Sequence, residues 1–320
     1  MNSVSKRSLF IDITKIICTF GILFHHYQQY TSTYFHRGLN FYGGKVFFGY
    51  LVEVFFLISG WLMVPYVQRI KDRMSFSSFM YKRLIRLLPS VMVSTILYVL
   101  LINFYVTRYS GTIMFQDDID TIGTIVTALG LGAWGITKNY HINNVCWYVS
   151  VLIFCYILMW VIVWVSKKTK IPVVALLCIP FAAGVIRRFV TDKEIPFYTE
   201  GMARGYIHFF GGLILGIIYN RFKPEATTVR KQSEIITIFR RIIESISDAL
   251  LDVYLFQVSV LIMFYIASNH LPIRMVSGKT MLLYSVVAFA IGYLYHNTVG
   301  KIVYKLLKKS DKDLKGDLKA

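Results

Sequence analysis

The sequence predicts an all-α polytopic membrane protein, a bundle of eight to ten transmembrane helices, and three observations carry that prediction. Apolar residues make up 56% of the 320-residue chain and charged residues only 16%, against about 45–50% and about a quarter in soluble domains. Apolar runs long enough to span a bilayer recur along the whole chain. The basic residues behind the net charge of +18 cluster between those runs, where the positive-inside rule places them beside an anionic cytoplasmic leaflet. That distribution favours membrane lipids over nucleic acid as the partner of the positive charge.

The first run, residues 9–27, covers about 28 Å as a helix, close to the thickness of the hydrocarbon core. It nonetheless carries Asp12, Lys15, His25 and His26. An ionisable side chain costs roughly 2.5–3.5 kcal/mol near the middle of a span, so these residues signal function. The predicted spans are 9–28, 46–66, 87–106, 147–166, 171–190, 203–221, 249–268 and 280–304. The linker 68–86 holds Arg69, Lys71, Arg73, Lys82, Arg83 and Arg86 against one Asp72; Lys167, Lys168 and Lys170 fill the next such turn, and seven lysines follow residue 300. Placing these on the cytoplasmic side puts both termini there. The Gly- and Thr-rich stretch 121–137 is expected to be re-entrant or paired with a second weak span. Arg240, Arg241, Glu244 and Asp248 mark 232–248 as a surface amphipathic helix. The domain reading is one membrane domain, 1–309, with a solvated lysine-rich cytoplasmic tail at 310–320. Cys18, Cys146, Cys155 and Cys178 show neither CxxC nor His-Cys spacing, so they read as small buried hydrophobes, and no metal site is expected.

Successive helical residues turn by about 100°, which brings Lys15 and His26 to within about 20° of each other, about 16 Å apart along the axis. His25 points about 100° away from His26 and reads as a neighbour. Glu53, in the second span, falls at a depth comparable to His26. Two readings stand side by side: a carboxylate fixing an imidazole's tautomer, or a glutamate paired with an arginine for packing. Arg83 and Arg86 lie on neighbouring helix faces, suited to gripping phosphates or to anchoring the helix on anionic lipid. Arg187, Arg188 and Arg204 sit on the side where cations are expected to be few, which suggests binding of an acceptor, with Asp192, Glu194 and Glu200 near enough to neutralise them. Asp252, Gln257 and His296 read as interhelical hydrogen bonds.

An ordered set of motifs resembles the acyltransferase family 3 membrane proteins, which include bacterial O-acetyltransferases of surface polysaccharides. The set comprises Asp12-x-x-Lys15 with His26 eleven residues later, Glu53-x-Phe-Phe-x-x-Ser59-Gly60, Arg83-x-x-Arg86-x-x-Pro89, and Trp147-Tyr148-Val149 leading to Tyr156. The resemblance covers nearly the whole chain. It implies a bundle of about ten helices that takes an acyl group from cytoplasmic acyl-coenzyme A and places it on a carbohydrate hydroxyl outside. By that resemblance His26 is the catalytic histidine, Glu53 holds the acidic position, and Arg83 and Arg86 engage the donor. Lys15 stands where the family has an arginine, without the planar fork. Leu152 and Ile153 occupy the place of a glutamate found in many members.

The expected function is therefore an O-acyltransferase, in all expectation an O-acetyltransferase, in a bacterial plasma membrane. Acetyl-coenzyme A is expected as donor substrate, with no permanently bound cofactor, and a surface polysaccharide or lipid-linked glycan as acceptor. The expected site has His26 and Glu53 as catalytic residues, Asp12, Lys15, Arg83 and Arg86 on the donor, and Arg187, Arg188, Arg204 and Trp147 on the acceptor. The rival is a transporter or flippase for a glycan intermediate, a class in which internal repeats and broken helices are common.

Overall fold

A computed structural model describes residues 8–36, 38, 40–109, 119–136, 142–191, 193–222 and 234–308. The regular elements among them are all helical. The expected lysine tail at 310–320, Asp192 and residue 137 lie outside the described residues. Eleven α-helices run in the order α1 (Leu9–Thr31), α2 (Leu51–Trp61), α3 (Val64–Asp72), α4 (Phe76–Tyr109), α5 (Thr121–Ala128), α6 (Trp147–Thr169), α7 (Val173–Phe189), α8 (Glu200–Gly205), α9 (Gly211–Phe222), α10 (Glu234–Ser268) and α11 (Gly278–Tyr295).

Seven segments are long and apolar enough to cross a membrane: α1, α2 with α3, α4, α6, α8 with α9, α10, and α11 with the turn that follows it. The eighth expected span is α7, which has 17 residues and ends on Arg187 and Arg188. It rises about 25 Å, slightly less than the hydrocarbon core. The stretch 121–137 does not supply a further crossing. Asp120 accepts from the Gly123 amide to cap α5, and eight residues of helix rise only about 12 Å.

The stretch 232–248, expected as a surface amphipathic helix, is not an element of its own. Its described part is the start of α10, which continues without a break to Ser268. The polar residues there are accommodated by pairing, Arg240 to Glu244 at 2.9 Å and Ser247 to Asp12 at 2.6 Å. Residues 236–246 are exposed or half-buried, as on a surface helix, and burial begins at Ser247.

Helices α1 and α10 run in the same direction and share three polar rungs. Ser247 donates to Asp12, the His26 Nδ1 meets the Gln257 Oε1 at 3.0 Å, and Tyr265 donates to the Tyr30 carbonyl at 3.0 Å. At the end where α4 begins, Tyr81 donates to the Leu307 carbonyl at 2.7 Å. Between α2 and α3 the helix is broken at Leu62 and Met63, ahead of Pro65 in the first turn of α3. A proline lacks the N–H that would have continued the ladder.

The closest backbone approach brings α2 against α9 and the π-helical turn Tyr206–Phe210 before it. A Cβ on Gly60 would collide with the Phe209 carbonyl, and one on Gly212 with the Leu57 carbonyl. Small residues permit such contact in a membrane, where packing replaces the hydrophobic effect as the force between helices. Gly60→Ala and Gly212→Ala should each lose about 1–3 kcal/mol through overpacking, read as a lower thermal midpoint in detergent. Unchanged midpoints would show that these backbones do not approach so closely.

Candidate active site

Two recesses enter the bundle from opposite ends. The first opens at the break between α2 and α3 and has a volume of about 260 Å³. Lys82 and Arg86 stand exposed at its mouth, Lys15 and Arg83 line it further in, and its inner wall includes Tyr148 and Tyr254. Lys15, Arg83 and Arg86, expected together on the donor, all line this one cavity. Asp12 is buried behind it, 3.8 Å from the Lys15 ammonium.

The two arginines differ in a way their spacing did not suggest. Arg86 is exposed, whereas Arg83 is buried in an aromatic box. The Arg83 guanidinium carbon stands 3.5 Å from the Phe79 ring centroid, 4.3 Å from Tyr66 and 5.1 Å from Tyr156. Its Nη1 donates to the Phe79 carbonyl at 2.7 Å and its Nη2 to the Met63 sulfur at 3.1 Å. With both ends of the fork engaged, Arg83 does not present the bidentate face expected for a phosphate. Arg86 and Lys82 are the cations that do face outward.

The second recess, about 280 Å³, lies among the start of α6, the start of α8 and the loop before α8. Trp147 and Arg204 line it with Asn144, Thr199, Glu194 and Glu200. Arg187 and Arg188 are not on its wall. Arg187 donates to the Thr191 and Tyr198 carbonyls at 2.8 and 3.3 Å and pairs with Glu194 at 3.2 Å. Arg188 pairs with Glu200 at 2.6 Å. Their place is to hold the loop and the two glutamates that reach the wall.

Glu53 does not orient His26. Its Oε1 accepts from the Arg204 Nε at 3.1 Å and its Oε2 lies 3.1 Å from the His208 Nε2. Arg204 also donates to the Gly49 carbonyl at 2.7 Å and stands 4.9 Å from the Trp147 ring centroid. The reading of a glutamate paired with an arginine describes this contact, because a carboxylate in an apolar wall is held by the nearest permanent cation. A comparable depth along two spans says nothing about the direction in which each side chain points.

The partner of His26 is Gln257. The Gln257 amide is set by its Nε2, which donates to the Tyr254 carbonyl at 2.8 Å, so its oxygen faces the imidazole. His26 therefore donates Nδ1–H, and its Nε2 keeps the lone pair. His25 belongs elsewhere: its Nδ1 lies 3.1 Å from the Phe41 carbonyl, and the Tyr42 and Phe47 rings pack edge-on against it. Gln28 fixes the same loop by accepting from the Phe41 and Tyr42 amides at 2.5 and 3.3 Å. Tyr254 joins cavity and histidine, with its ring centroid 6.4 Å from His26 and 5.8 Å from Tyr148. Gln257 had a signal in the sequence, a lone amide in an apolar span; Tyr254 had none.

A family model described as an acyltransferase domain, that of acyltransferase family 3, matches residues 8–238. The chain belongs to this family. Neither a curated protein nor a solved structure matches it. As an acyltransferase of family 3, the chain keeps Lys15, His26, Glu53, Arg83 and Trp147 within the matched region, while Tyr254 and Gln257 fall beyond it on α10.

The contrast between the two arginines is measurable without any substrate. Arg83→Ala should empty a desolvated cation–π box and cost about 2 kcal/mol or more, whereas Arg86→Ala should stay within about 0.5 kcal/mol of the parent protein. Thermal unfolding of both variants in detergent checks this; equal midpoints would place Arg83 in solvent beside Arg86.

Proposed function

We propose that this acyltransferase moves an acyl group, an acetyl in its ordinary substrate, from cytoplasmic acyl-coenzyme A to a hydroxyl of an extracytoplasmic glycan or its lipid-linked precursor. The observation that carries the reading is the pair of recesses of different chemistry at opposite ends of the bundle, the basic one reaching Tyr254 beside His26. The cavity with the basic mouth suits a phosphorylated donor, with Lys82 and Arg86 as the outward cations and Lys15 deeper along the wall. The recess with Trp147, Asn144, Thr199 and two glutamates suits a hydroxyl-rich acceptor, an aromatic face for the ring and polar groups for its hydroxyls.

The positive-inside distribution supports a cytoplasmic basic mouth and cytoplasmic termini, in the plasma membrane of a bacterial cell. Lys15 and His26 lie about 16 Å apart along α1, a span comparable to an extended pantetheine arm. Coenzyme A held by its phosphates at the mouth thus places its thioester near His26. There the acceptor hydroxyl gives its proton to the His26 Nε2 as its oxygen attacks the thioester carbonyl. The C–S bond then breaks, and the thiolate leaves with the proton that His26 has held. The Gln257 oxygen keeps the tautomer correct throughout. Glu53 contributes by holding Arg204 and His208 at the acceptor side. Family membership sets aside the transporter reading, because the reaction requires a base and a donor site as well as a path.

His26→Ala should abolish release of coenzyme A thiol from acetyl-coenzyme A and transfer of the labelled acetyl to a glycan, in protein of unchanged thermal midpoint. Full turnover by that variant would overturn the assignment of His26. In the same preparation Arg86→Ala should weaken donor binding at least tenfold, the loss of a charge-assisted contact of roughly 1.5–3 kcal/mol; unchanged donor affinity would leave Arg86 as a lipid anchor.

A further inference from the structure

Four buried hydroxyls lack a hydrogen-bond partner among the described residues: those of Thr127, Tyr254, Ser259 and Tyr295. Of these residues only Tyr254 lines the basic cavity. Leaving a buried hydroxyl unpaired costs roughly 1–3 kcal/mol, and nothing in the packing around Tyr254 requires it. A phenylalanine would fill the same space against the Tyr148 ring. Tyr148, by contrast, has its hydroxyl engaged, 3.2 Å from the Ser59 Oγ. Tyr254 lines the inner wall of the cavity, its hydroxyl enclosed by protein and its ring beside His26. It is also one helical turn from Gln257, whose amide it fixes through its own carbonyl.

We infer that the Tyr254 hydroxyl is a catalytic hydrogen-bond donor to the thioester carbonyl oxygen of the donor. This rests on the acyl-transfer reading and supplies what that reading left without a residue. When the acceptor oxygen bonds to the thioester carbon, the carbonyl π pair moves onto oxygen, and that oxyanion needs a donor in place beforehand. His26 takes the acceptor's proton at Nε2 in the same step. When the pair returns, the C–S bond breaks, and the thiolate recovers the proton from His26. Tyr254 gives up no proton; it stays a neutral phenol throughout. A hydroxyl without a partner in the resting protein requires no bond to be broken before it serves the oxyanion. The same helical turn then carries both functions: Gln257 presents the base, and Tyr254 stabilises the charge the base helps to create.

Tyr254→Phe tests this in the full chain in lipid nanodiscs, with acetyl-coenzyme A as the donor and free thiol as the readout. The expected result is a fall in kcat of about 100-fold, with unchanged Kd for coenzyme A and a thermal midpoint equal to or above the parent's. Parental kcat would overturn the inference and leave Tyr254 as a wall. A fall in kcat accompanied by a lower midpoint or weaker coenzyme A binding would overturn it too, as a packing effect. The parent protein and His26→Ala separate the two levels. Thiol release that depends on His26 but not on the Tyr254 hydroxyl sinks only this inference. A parent protein with no His26-dependent release sinks the acyl-transfer reading, and this inference with it.

Discussion

The seam between α1 and α10 fixes almost everything else about the site. Lipid tails are as apolar as leucine, so helices in a membrane gain little by hiding apolar surface from one another. Register must come from small residues and from polar contacts. Here three polar rungs, Asp12 to Ser247, His26 to Gln257 and Tyr30 to Tyr265, hold two parallel helices to within about one helical turn of a common offset. A slip of one residue would rotate His26 by about 100° and take its imidazole from the amide. The rung that serves chemistry is thus held in place by the rungs above and below it. The family match ends at residue 238, so α1 carries its half of the seam inside the matched region and α10 carries the other half outside it.

Charge is handled differently at the two ends of the bundle. At the first recess, Lys82 and Arg86 stand exposed at the mouth. At the second, Arg187, Arg188 and Arg204 are each matched to a glutamate. An anionic ligand needs cations whose charge is not already answered by a carboxylate. A neutral, hydroxyl-bearing ligand is better served by a wall of zero net charge with many acceptors, because an unanswered cation there would only be desolvated when the ligand arrives. The arginines on the side where few cations were expected had pointed to an acceptor. They serve that recess indirectly, through the carboxylates they hold, with Arg204 alone reaching the wall beside Trp147.

Much of the fold was legible because bilayer thickness sets span length, and apolar runs in the sequence display it. The spans at 9–28 and 147–166 fall within α1 and α6. The failures have one physical origin. A sequence shows where charge interrupts an apolar run but not whether the helix stops there, so the exposed start of α10 was read apart from the span it continues. That Lys15, Arg83 and Arg86 belong together was legible only through the family resemblance, and all three line one cavity. Periodicity says which way a residue points around its own helix but not which helix stands opposite. Glu53 was therefore matched to the wrong histidine by depth alone, and Gln257, 231 positions from His26 in the chain, was visible only as an expensive polar residue. Tyr254 left no trace, because tyrosine is as common in apolar spans as it is uninformative there.

That an amide and not a carboxylate holds His26 bears on what the reaction asks of it. A carboxylate would fix the same tautomer and would also stabilise the imidazolium, which is useful where the proton must be stored. In acyl transfer from a thioester to a hydroxyl the proton is only in transit, from the acceptor oxygen to the departing sulfur. A base that bound it too firmly would slow the second half of the reaction. Gln257 orients without adding charge, so the imidazolium is only as stable as a proton in transit requires. A buried carboxylate at that position would also need its own counter-charge in the apolar interior whenever His26 was neutral. The nearest guanidinium known to the site, that of Arg204, is already committed to Glu53. On the proposed reading, Glu53 steadies the acceptor wall through Arg204, and His26 as base is left with a partner that sets direction alone.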